Sequence, residues 1–205
     1  MGIKERRQRE RQATRQNILV AAHQIARQEG WPALTIRKVA EAIEYSPPMI
    51  YEYFANKEEI LLDLMREGFQ QLIASMQQAR ASTEDRQESL MRIIDAYWSF
   101  ARNNPELYQI MNGLGGVLLD NQETAREGQN AGRIPLAALE DWAQDSGIVL
   151  EDAFGAIETF WSLIHGMVSL TMADRIVGGE PRARQLLYQA FQTLLLGWST
   201  KQKGP

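Results

Sequence analysis

Residues 35–54 of the chain read TIRKVAEAIEYSPPMIYEYF and contain two short helical patterns, separated by three residues. Thr35 suits the N-cap of the first helix, because a threonine hydroxyl can accept a hydrogen bond from a backbone N–H of the first turn. The apolar residues that follow have the spacing of one helix face: Ile36, Val39, Ala40 and Ile43. This half of the segment therefore predicts a short helix.

The second pattern begins at Ser46, another residue type favoured at the N-cap. Pro47 and Pro48 follow in the first turn, where the missing proline N–H costs nothing because that N–H has no partner within the helix. Ile50 and Phe54 lie four residues apart and face the same side. We expect a second short helix that these two side chains attach to the core.

A third helical pattern precedes this pair. Its apolar face consists of Ile18, Leu19, Ala22, Ile25 and Ala26, and Gly30 ends it. A supporting helix, a short helix, a tight turn and a second short helix are typical of a DNA-binding helix-turn-helix, whose second helix enters the major groove. We therefore predict a helix-turn-helix at about residues 35–54.

The rest of the chain also shows only helical periodicity. Asn56 and Glu59 form a capping-box pattern at the start of a long fourth helix. Later helices are expected at residues 90–101, 105–111, 136–143, 151–176 and 181–198, with a loop or broken helix at 113–133 and with Pro135 starting or kinking its helix. We predict an all-α fold of about nine helices, with a helix-turn-helix domain at residues 1–57 and a larger helical domain at residues 58–205.

The composition excludes several classes of site. The chain has 205 residues, no cysteine and two histidines, which excludes disulfide scaffolds, thiolate zinc sites, iron–sulfur clusters and multi-histidine metal centres. We expect neither a metal nor a cofactor. The longest apolar run without a formal charge, residues 159–173, is shorter than the about 20 residues that span a bilayer. We expect a cytoplasmic protein without a membrane span.

The charge is divided unevenly along the chain. Residues 1–57 hold ten Lys and Arg against six Asp and Glu, whereas the remaining residues hold 12 against 20. The basic residues concentrate near the start: Lys4, Arg6, Arg7, Arg9, Arg11 and Arg15. A basic end on an acidic body favours a nucleic-acid or membrane contact at that end. The alternative is a solvated helix face, because Glu5 and Glu10 lie among the arginines.

Two other function classes find little support in the sequence. An enzyme would need a catalytic pattern, and the glycine cluster Gly113, Gly115 and Gly116 lacks the last glycine of the dinucleotide fingerprint, where Leu118 stands. A membrane-surface protein would use the basic N-terminal helix, which lacks the Trp or Phe that holds an interfacial helix in the headgroups. We therefore expect a binding protein and not an enzyme.

Residues 34–65 resemble the DNA-binding domain of the tetracycline-repressor (TetR) family of bacterial regulators. The residues that carry the resemblance are Thr35, Val39, Ala40, Ser46, Ile50, Tyr51, Tyr53, Phe54, Lys57 and Leu61. Glu44 departs from the pattern, because the family usually has glycine at this turn position, and a positive φ there would cost about 1 kcal/mol. A second resemblance, to the Trp…His-Gly signature of one TetR C-terminal subgroup, rests on Trp161, His165 and Gly166.

The resemblance implies a homodimeric transcriptional regulator, usually a repressor. Its N-terminal domain would bind a double-stranded, palindromic DNA operator, and its C-terminal domain would bind a small effector and form the dimer. A regulator that binds DNA constitutively, without an effector, is the alternative. The resemblance does not identify the effector, the operator or the regulated genes.

The resemblance and the side-chain chemistry together give candidate DNA contacts. Lys57 can bind a phosphate beside a helix N-terminus, and Thr35 and Arg37 suit backbone contacts. Between Ser46 and Phe54 there is no Arg, Lys, Asn or Gln for bidentate base readout, so thymine methyl contacts, a Glu52–cytosine hydrogen bond and DNA shape are expected to give specificity. The candidates are Arg6, Arg7, Arg15, Thr35, Arg37, Ser46, Pro47, Pro48, Met49, Tyr51, Glu52, Tyr53 and Lys57.

The later helices supply candidates for an effector pocket and a dimer interface. Aromatic and Met side chains suit a bulky, partly apolar effector, although ordinary core packing explains such residues equally. The candidate lining is Tyr97, Trp98, Tyr108, Met111, Leu114, Leu118, Trp142, Trp161 and His165. The last two helices are apolar on nearly all sides, which favours a two-fold four-helix interface over burial within a monomer. Its candidates are Phe160, Leu163, Met167, Leu170, Leu186, Ala190, Leu194 and Trp198.

Overall fold

A computed structural model describes residues 2–117, 119 and 121–200 of the chain. Its regular elements, within those residues, are nine α-helices and one short 3-10 helix at Trp31–Ala33, without a β-strand. The α-helices are α1 (Ile3–Glu29), α2 (Ile36–Ala42), α3 (Pro47–Tyr51), α4 (Lys57–Ala81), α5 (Arg86–Asn103), α6 (Pro105–Met111), α7 (Asn121–Asp145), α8 (Ala153–Met172) and α9 (Gly179–Thr200). The all-α prediction is confirmed.

The chain divides into two compact units. The first contains the described residues of Met1–Phe69 and Asn104–Glu127, and the second those of Gln70–Asn103 and Gly128–Pro205. Helix α6 therefore belongs to the same unit as the helix-turn-helix, although 50 residues of sequence separate them. The domain boundary predicted between residues 57 and 58 stays a prediction. It lies at the start of α4.

The first unit has a core built from the side chains that the periodicity indicated. Ile18, Val39 and Ile50 come from α1, α2 and α3 and are completely buried. Trp31 is 1% exposed, and its indole Nε1 donates a hydrogen bond to the backbone oxygen of Glu106 at 2.9 Å. This bond attaches the chain after α1 to helix α6.

Helices α4 and α6 approach each other closely at a glycine. A Cβ atom on Gly68 would lie 2.6 Å from the Met111 sulfur and 3.4 Å from the Leu107 Cβ. The absence of a side chain at this position therefore allows α6 to pack directly on the α4 backbone.

Residues at the N-termini of α2, α3 and α4 explain where these helices begin. The Thr35 hydroxyl accepts a hydrogen bond from the Lys38 backbone N–H at 3.2 Å, as predicted. Asn56 accepts one from the Glu59 N–H at 2.9 Å and starts α4. Ser46 occupies the N-cap of α3, but its side chain makes no capping hydrogen bond. The two prolines that follow fix the first turn instead, because their φ angles already suit a helix.

The turn between α2 and α3 has a positive φ at Glu44, the position at which the sequence departs from the usual glycine. Glu44 has φ 59°, in the left-handed region that favours glycine. The turn is closed by the Tyr45 N–H, which donates to the Ala40 backbone oxygen at 2.9 Å. The turn therefore keeps its shape at an expected strain of about 1 kcal/mol.

The second unit is organised around α8, which packs on α9 and on α5. The Phe160 and Phe191 rings meet edge-on with centroids 4.5 Å apart, and Asp152 caps α8 by accepting from the Gly155 N–H. Arg102 and Glu180 form an ion pair of 2.9 Å that joins α5 to α9. Buried rings and peripheral ion pairs therefore hold this unit together.

The prediction of a loop or broken helix over residues 113–133 was partly wrong. Helix α7 begins at Asn121 and continues through Pro135 to Asp145. Its first half is rich in Gln, Glu, Ala and Arg, which favour helix, and Ala131 and Ile134 supply buried positions there. Among the described residues, no helix is both long and apolar enough to span a bilayer.

Candidate DNA-binding surface

Helix α3 is held by apolar side chains on one side and is open to solvent on the other. Ile50 and Phe54 are 0% and 1% exposed. The opposite side forms the reading surface, which we define as Ser46, Pro47, Pro48, Met49 and Glu52. Four of its members are exposed and Met49 is half-buried. The buried pair fixes how the reading surface is presented.

The reading surface offers methylene groups and one carboxylate, without a side-chain cation. Its two prolines and Met49 can contact thymine methyl groups, but they cannot donate hydrogen bonds to base edges. The Glu52 carboxylate makes no hydrogen bond or ion pair within the described part of the chain, so it is open to accept from a cytosine amino group.

The two tyrosines at the end of α3 differ in their surroundings. Tyr51 is 55% exposed, which leaves its hydroxyl open to a phosphate. Tyr53 is half-buried, and the Arg11 guanidinium lies 5.6 Å from the centroid of its ring. Tyr51 is therefore the more accessible of the two predicted contacts.

Helix α2 presents a cation that already has a protein partner. The Arg37 guanidinium forms an ion pair of 2.8 Å with Glu41, and both side chains are exposed. Lys38 pairs with Glu29 in the same way. Such exposed pairs contribute little to stability, so Arg37 can exchange Glu41 for a phosphate at small cost.

Lys57 lies at the first position of α4 and is half-buried. The preceding Asn56 satisfies one N–H of the first turn, and the Glu59 carboxylate accepts from the Ala55 N–H at 2.7 Å. The Lys57 ammonium and the helix N-terminus both favour an anion at this point.

The basic side chains near the start of the chain, which were predicted to contact DNA, lie in different environments. Arg7 is exposed, and Arg6 is exposed but pairs with Glu10 at 3.4 Å. Arg15 is half-buried, with its guanidinium 4.4 Å from the Phe54 ring centroid and in an ion pair with Asp63. The charge of Arg15 is therefore matched inside the first unit, so its geometry does not support the predicted DNA contact.

An ion-pair chain through Asp63 was missed by the sequence reading. Asp63 accepts from Arg15 of α1 and from Arg66 one turn along α4, and Arg66 also binds Glu123 in the first turn of α7. The chain links three helices of the first unit. The spacing of Asp63 and Arg66 was readable, but their partners are remote in sequence, so no local pattern could show them.

Tyr45 was also missed. It precedes the reading surface and is 41% exposed, which is unusual for a large aromatic side chain in a tight turn. Its place next to the N-cap of α3 was visible in the sequence, but its exposure follows from the turn geometry at Glu44.

Comparison with known protein families decides the identity of this arrangement. A family profile described as "Bacterial regulatory proteins, tetR family" matches residues 18–64. A second, "Tetracyclin repressor-like, C-terminal domain", matches residues 90–194, which is just over half of the chain. The chain belongs to the TetR family. It is a DNA-binding transcriptional regulator.

Individual relatives agree with this assignment. The chain is 27% identical over 161 residues to the HTH-type transcriptional regulator Rv0681 of Mycobacterium tuberculosis, across 78% of this chain and 70% of that protein. It is 24% identical over 98 residues to the HTH-type transcriptional repressor NicS of Pseudomonas putida, across 48% of this chain and 46% of that protein. The TetR-family regulator PfmR from Thermus thermophilus has the same fold, with a TM-score of 0.64 at 20% identity over 87% of this chain and 96% of that one.

In this TetR-family regulator the predicted effector residues fall in both units. Tyr108 and Met111 are buried and Leu114 is half-buried in the first unit. The others lie in the second unit, where Trp98 and Trp142 are buried and Tyr97 is half-buried. Leu118 lies outside the described residues. Burial is equally compatible with core packing and with a pocket wall, so the role of these residues toward an effector stays a prediction.

Trp161 and His165 of the regulator lie together on α8. Their rings are stacked with centroids 5.4 Å apart, and Trp161 is 51% exposed. Partial burial lowers the pKa of His165, because desolvation disfavours the charged imidazolium. The subgroup resemblance that rested on these residues stays a prediction.

The predicted dimer residues of the regulator are partly open and partly buried. Leu170 and Leu186 are 43% and 36% exposed, and five others are half-buried: Leu163, Met167, Ala190, Leu194 and Trp198. Phe160 differs from them, because it is 5% exposed and its ring packs against Phe191 within the second unit. Phe160 is therefore not on the surface with the others.

No group of three or more His, Cys, Asp or Glu side chains that could hold a metal ion occurs in the described part of the regulator. Two carboxylates near the reading surface already have partners within the chain, since Glu41 pairs with Arg37 and Glu59 accepts from the Ala55 N–H.

Proposed function

We propose that this chain is a homodimeric transcriptional repressor that binds a palindromic DNA operator and is released from it by a small, partly apolar effector. It acts by binding and not by catalysis, in the cytoplasm where its DNA partner lies. The observation that carries the proposal is the exposed reading surface on α3, fixed from behind by the buried Ile50 and Phe54.

Operator recognition rests on apolar contacts and on shape. Pro47, Pro48 and Met49 offer methylene groups to thymine methyls, and Glu52 offers one acceptor to cytosine. Because none of them reads guanine or adenine bidentately, sequence-dependent DNA shape supplies part of the specificity. Contacts to phosphates position residues 35–57, which we call the head, and come from Lys57, Tyr51, Thr35 and Arg37.

Dimerisation rests on the outer faces of α8 and α9. Leu170 and Leu186 are exposed there, and the half-buried Leu163, Met167 and Leu194 extend the same surface. Apolar side chains on two packed helices are covered when a second copy completes a four-helix arrangement with two-fold symmetry. A two-fold dimer in turn presents two reading surfaces to two half-sites.

Effector release requires that a ligand bind the DNA-incompetent dimer more tightly than the competent one. The aromatic and Met side chains predicted for the pocket would suit a ligand with apolar surface. The relative NicS carries the name of a repressor, which supports repression as the output.

The test is fluorescence anisotropy with DNA from upstream of the protein's own gene and with a scrambled duplex. We expect selective binding with a steep salt dependence, and loss of selectivity in Met49→Ala but not in Gln87→Ala, an exposed position on α5. Equal binding to both duplexes contradicts a sequence-specific regulator.

Two further measurements separate the parts of the proposal. A reporter placed behind the bound fragment should fall when the protein is expressed, and a rise would show activation instead. Light scattering should give twice the 23.3 kDa chain mass, and a monomer would contradict the dimer.

A further inference from the structure

The basic N-terminal segment is helical and is not an extended arm. Helix α1 begins at Ile3 and runs for 27 residues, and residues 4–13 are exposed along it. A rise of about 1.5 Å per residue places Lys4 about 10 Å beyond Arg11 along the helix axis. The cations of this segment therefore lie on fixed helix faces.

Arg11 sets the direction of one of these faces. Its Nη2 donates a hydrogen bond to the backbone oxygen of Glu52 at 3.0 Å, and its guanidinium lies 5.6 Å from the Tyr53 ring centroid. Glu52 is the C-cap of the recognition helix α3. The face of α1 that carries Arg11 is therefore the face directed toward the end of α3.

Two further cations share the face of Arg11. Arg7 and Lys4 precede it by four and seven residues, which is the spacing of one helix stripe. Both are exposed, and neither forms an ion pair within residues 2–117, 119 and 121–200. Arg9 and Arg27, which are also exposed, lie on the opposite face of α1.

We propose that Lys4 and Arg7, oriented by the Arg11–Glu52 hydrogen bond, bind the DNA backbone outside the base pairs that α3 reads. The inference rests on the proposed operator binding and extends the contact beyond it. Charge complementarity selects duplex phosphates as the partner, since they are spaced about 3.4 Å apart along each strand. The distance from Arg11 to Lys4 along α1 thus corresponds to about three base pairs of flanking DNA.

The test compares two double variants that remove the same charge from opposite faces of α1. Lys4→Gln with Arg7→Gln changes the proposed contact, and Arg9→Gln with Arg27→Gln is the matched control. Binding is measured on the footprinted upstream operator, once as the minimal core duplex and once with about five added base pairs at each end.

On the long duplex, the Lys4/Arg7 variant should bind roughly tenfold more weakly than wild type, with a salt slope smaller by about two per protomer. On the core duplex the Lys4/Arg7 variant should bind like wild type. The Arg9/Arg27 control should bind like wild type on both duplexes. Arg11→Met should weaken binding to the long duplex in the same direction, because the stripe loses its orientation. Circular dichroism checks that α1 remains helical in each variant.

Equal weakening by both double variants would overturn the proposal, because it would show unspecific attraction to every cation of α1. Equal loss on the core and long duplexes would also overturn it. If wild type does not prefer the operator to scrambled DNA, the proposed function itself fails, together with this inference, and that result is distinct from the other two.

Discussion

The recognition helix α3 and the helix pair α8–α9 both expose apolar side chains, but the two regions place them differently. In α3, Pro47 and Pro48 are exposed because Ile50 and Phe54 are fixed in the core at 0% and 1% exposure. In α8, the neighbours Phe160 and Trp161 differ from 5% to 51% exposure, although both are large aromatics in one apolar run.

Local sequence sets the exposure of side chains in α3, but it does not set their exposure in α8 and α9. The presentation of α3 follows from a proline pair at its start and from two anchors four residues apart. The exposure of Trp161 follows from which side of α8 meets α9, and that depends on residues remote in sequence. The head is therefore locally determined, whereas the surface of α8–α9 is determined by packing.

The largest expected effect comes from removing an anchor of the head. Ile50→Ala should lower the free energy of unfolding by about 3 kcal/mol, because it deletes a completely buried side chain and leaves a cavity. Leu170→Ala, at an exposed position on α8, should change it by about 0.5 kcal/mol or less in the monomer. Urea denaturation at low protein concentration measures both, and equal losses would contradict the contrast.

Next in size is the base contact expected from Glu52. Glu52→Ala should remove discrimination of about 1 to 2 kcal/mol at one cytosine position of the operator, since the carboxylate is open to a cytosine amino group. Binding to a set of single-base operator variants measures this. Glu58→Ala, which removes another exposed carboxylate beside the head, is the control. Unchanged preference at every position would exclude the contact.

A third prediction uses the two non-glycine residues with positive φ in the described chain, one in each region. Glu44→Gly should stabilise the head by about 1 kcal/mol, because φ 59° strains a side chain with a Cβ. Asp174→Gly, at φ 53°, should gain less, because aspartate tolerates this region better. Thermal unfolding of the two variants compares them, and a larger gain at Asp174 would contradict the argument.

The smallest expected effect concerns pH. Burial lowers the pKa of His23 in the first unit and of His165 in the second from 6.5. At His23 the nearby Glu106 opposes this effect of burial. As the pH is lowered, these histidines are therefore protonated in the unfolded state before they are protonated in the folded state. The free energy of unfolding should consequently fall as the pH drops below about 6.5.

His23→Gln and His165→Gln should each remove part of that fall, which denaturant titration at several mildly acidic pH values measures. A dependence identical to wild type in both variants would show that the two histidines do not contribute.

Much of the head could be predicted from the sequence, because its signals are local. The Thr35 cap, the Asn56 cap and the left-handed turn at Glu44 each depend on a few neighbouring residues. The surroundings of Arg15 could not be predicted in this way. Its place in a basic segment suggested DNA, but its partners Asp63 and Phe54 come from other elements.

The C-terminal region was less predictable for the same physical reason. The start of α7 was missed because its first half is polar, and among the described side chains of that half only Ala131 is buried. The assignment of Phe160 to a surface rested on its apolar stripe, which does not show whether Phe191 of the same chain covers it.

The expectation that distinguishes this regulator from one with bidentate donors is that α3 reads its operator largely through thymine methyl groups. Its most direct test replaces each operator thymine by deoxyuridine, which removes one methyl group and keeps every hydrogen-bonding group. Binding should weaken by about fourfold at each contacted thymine, which corresponds to the loss of one buried methyl group. An operator in which every thymine is replaced and which binds as tightly as before would contradict it.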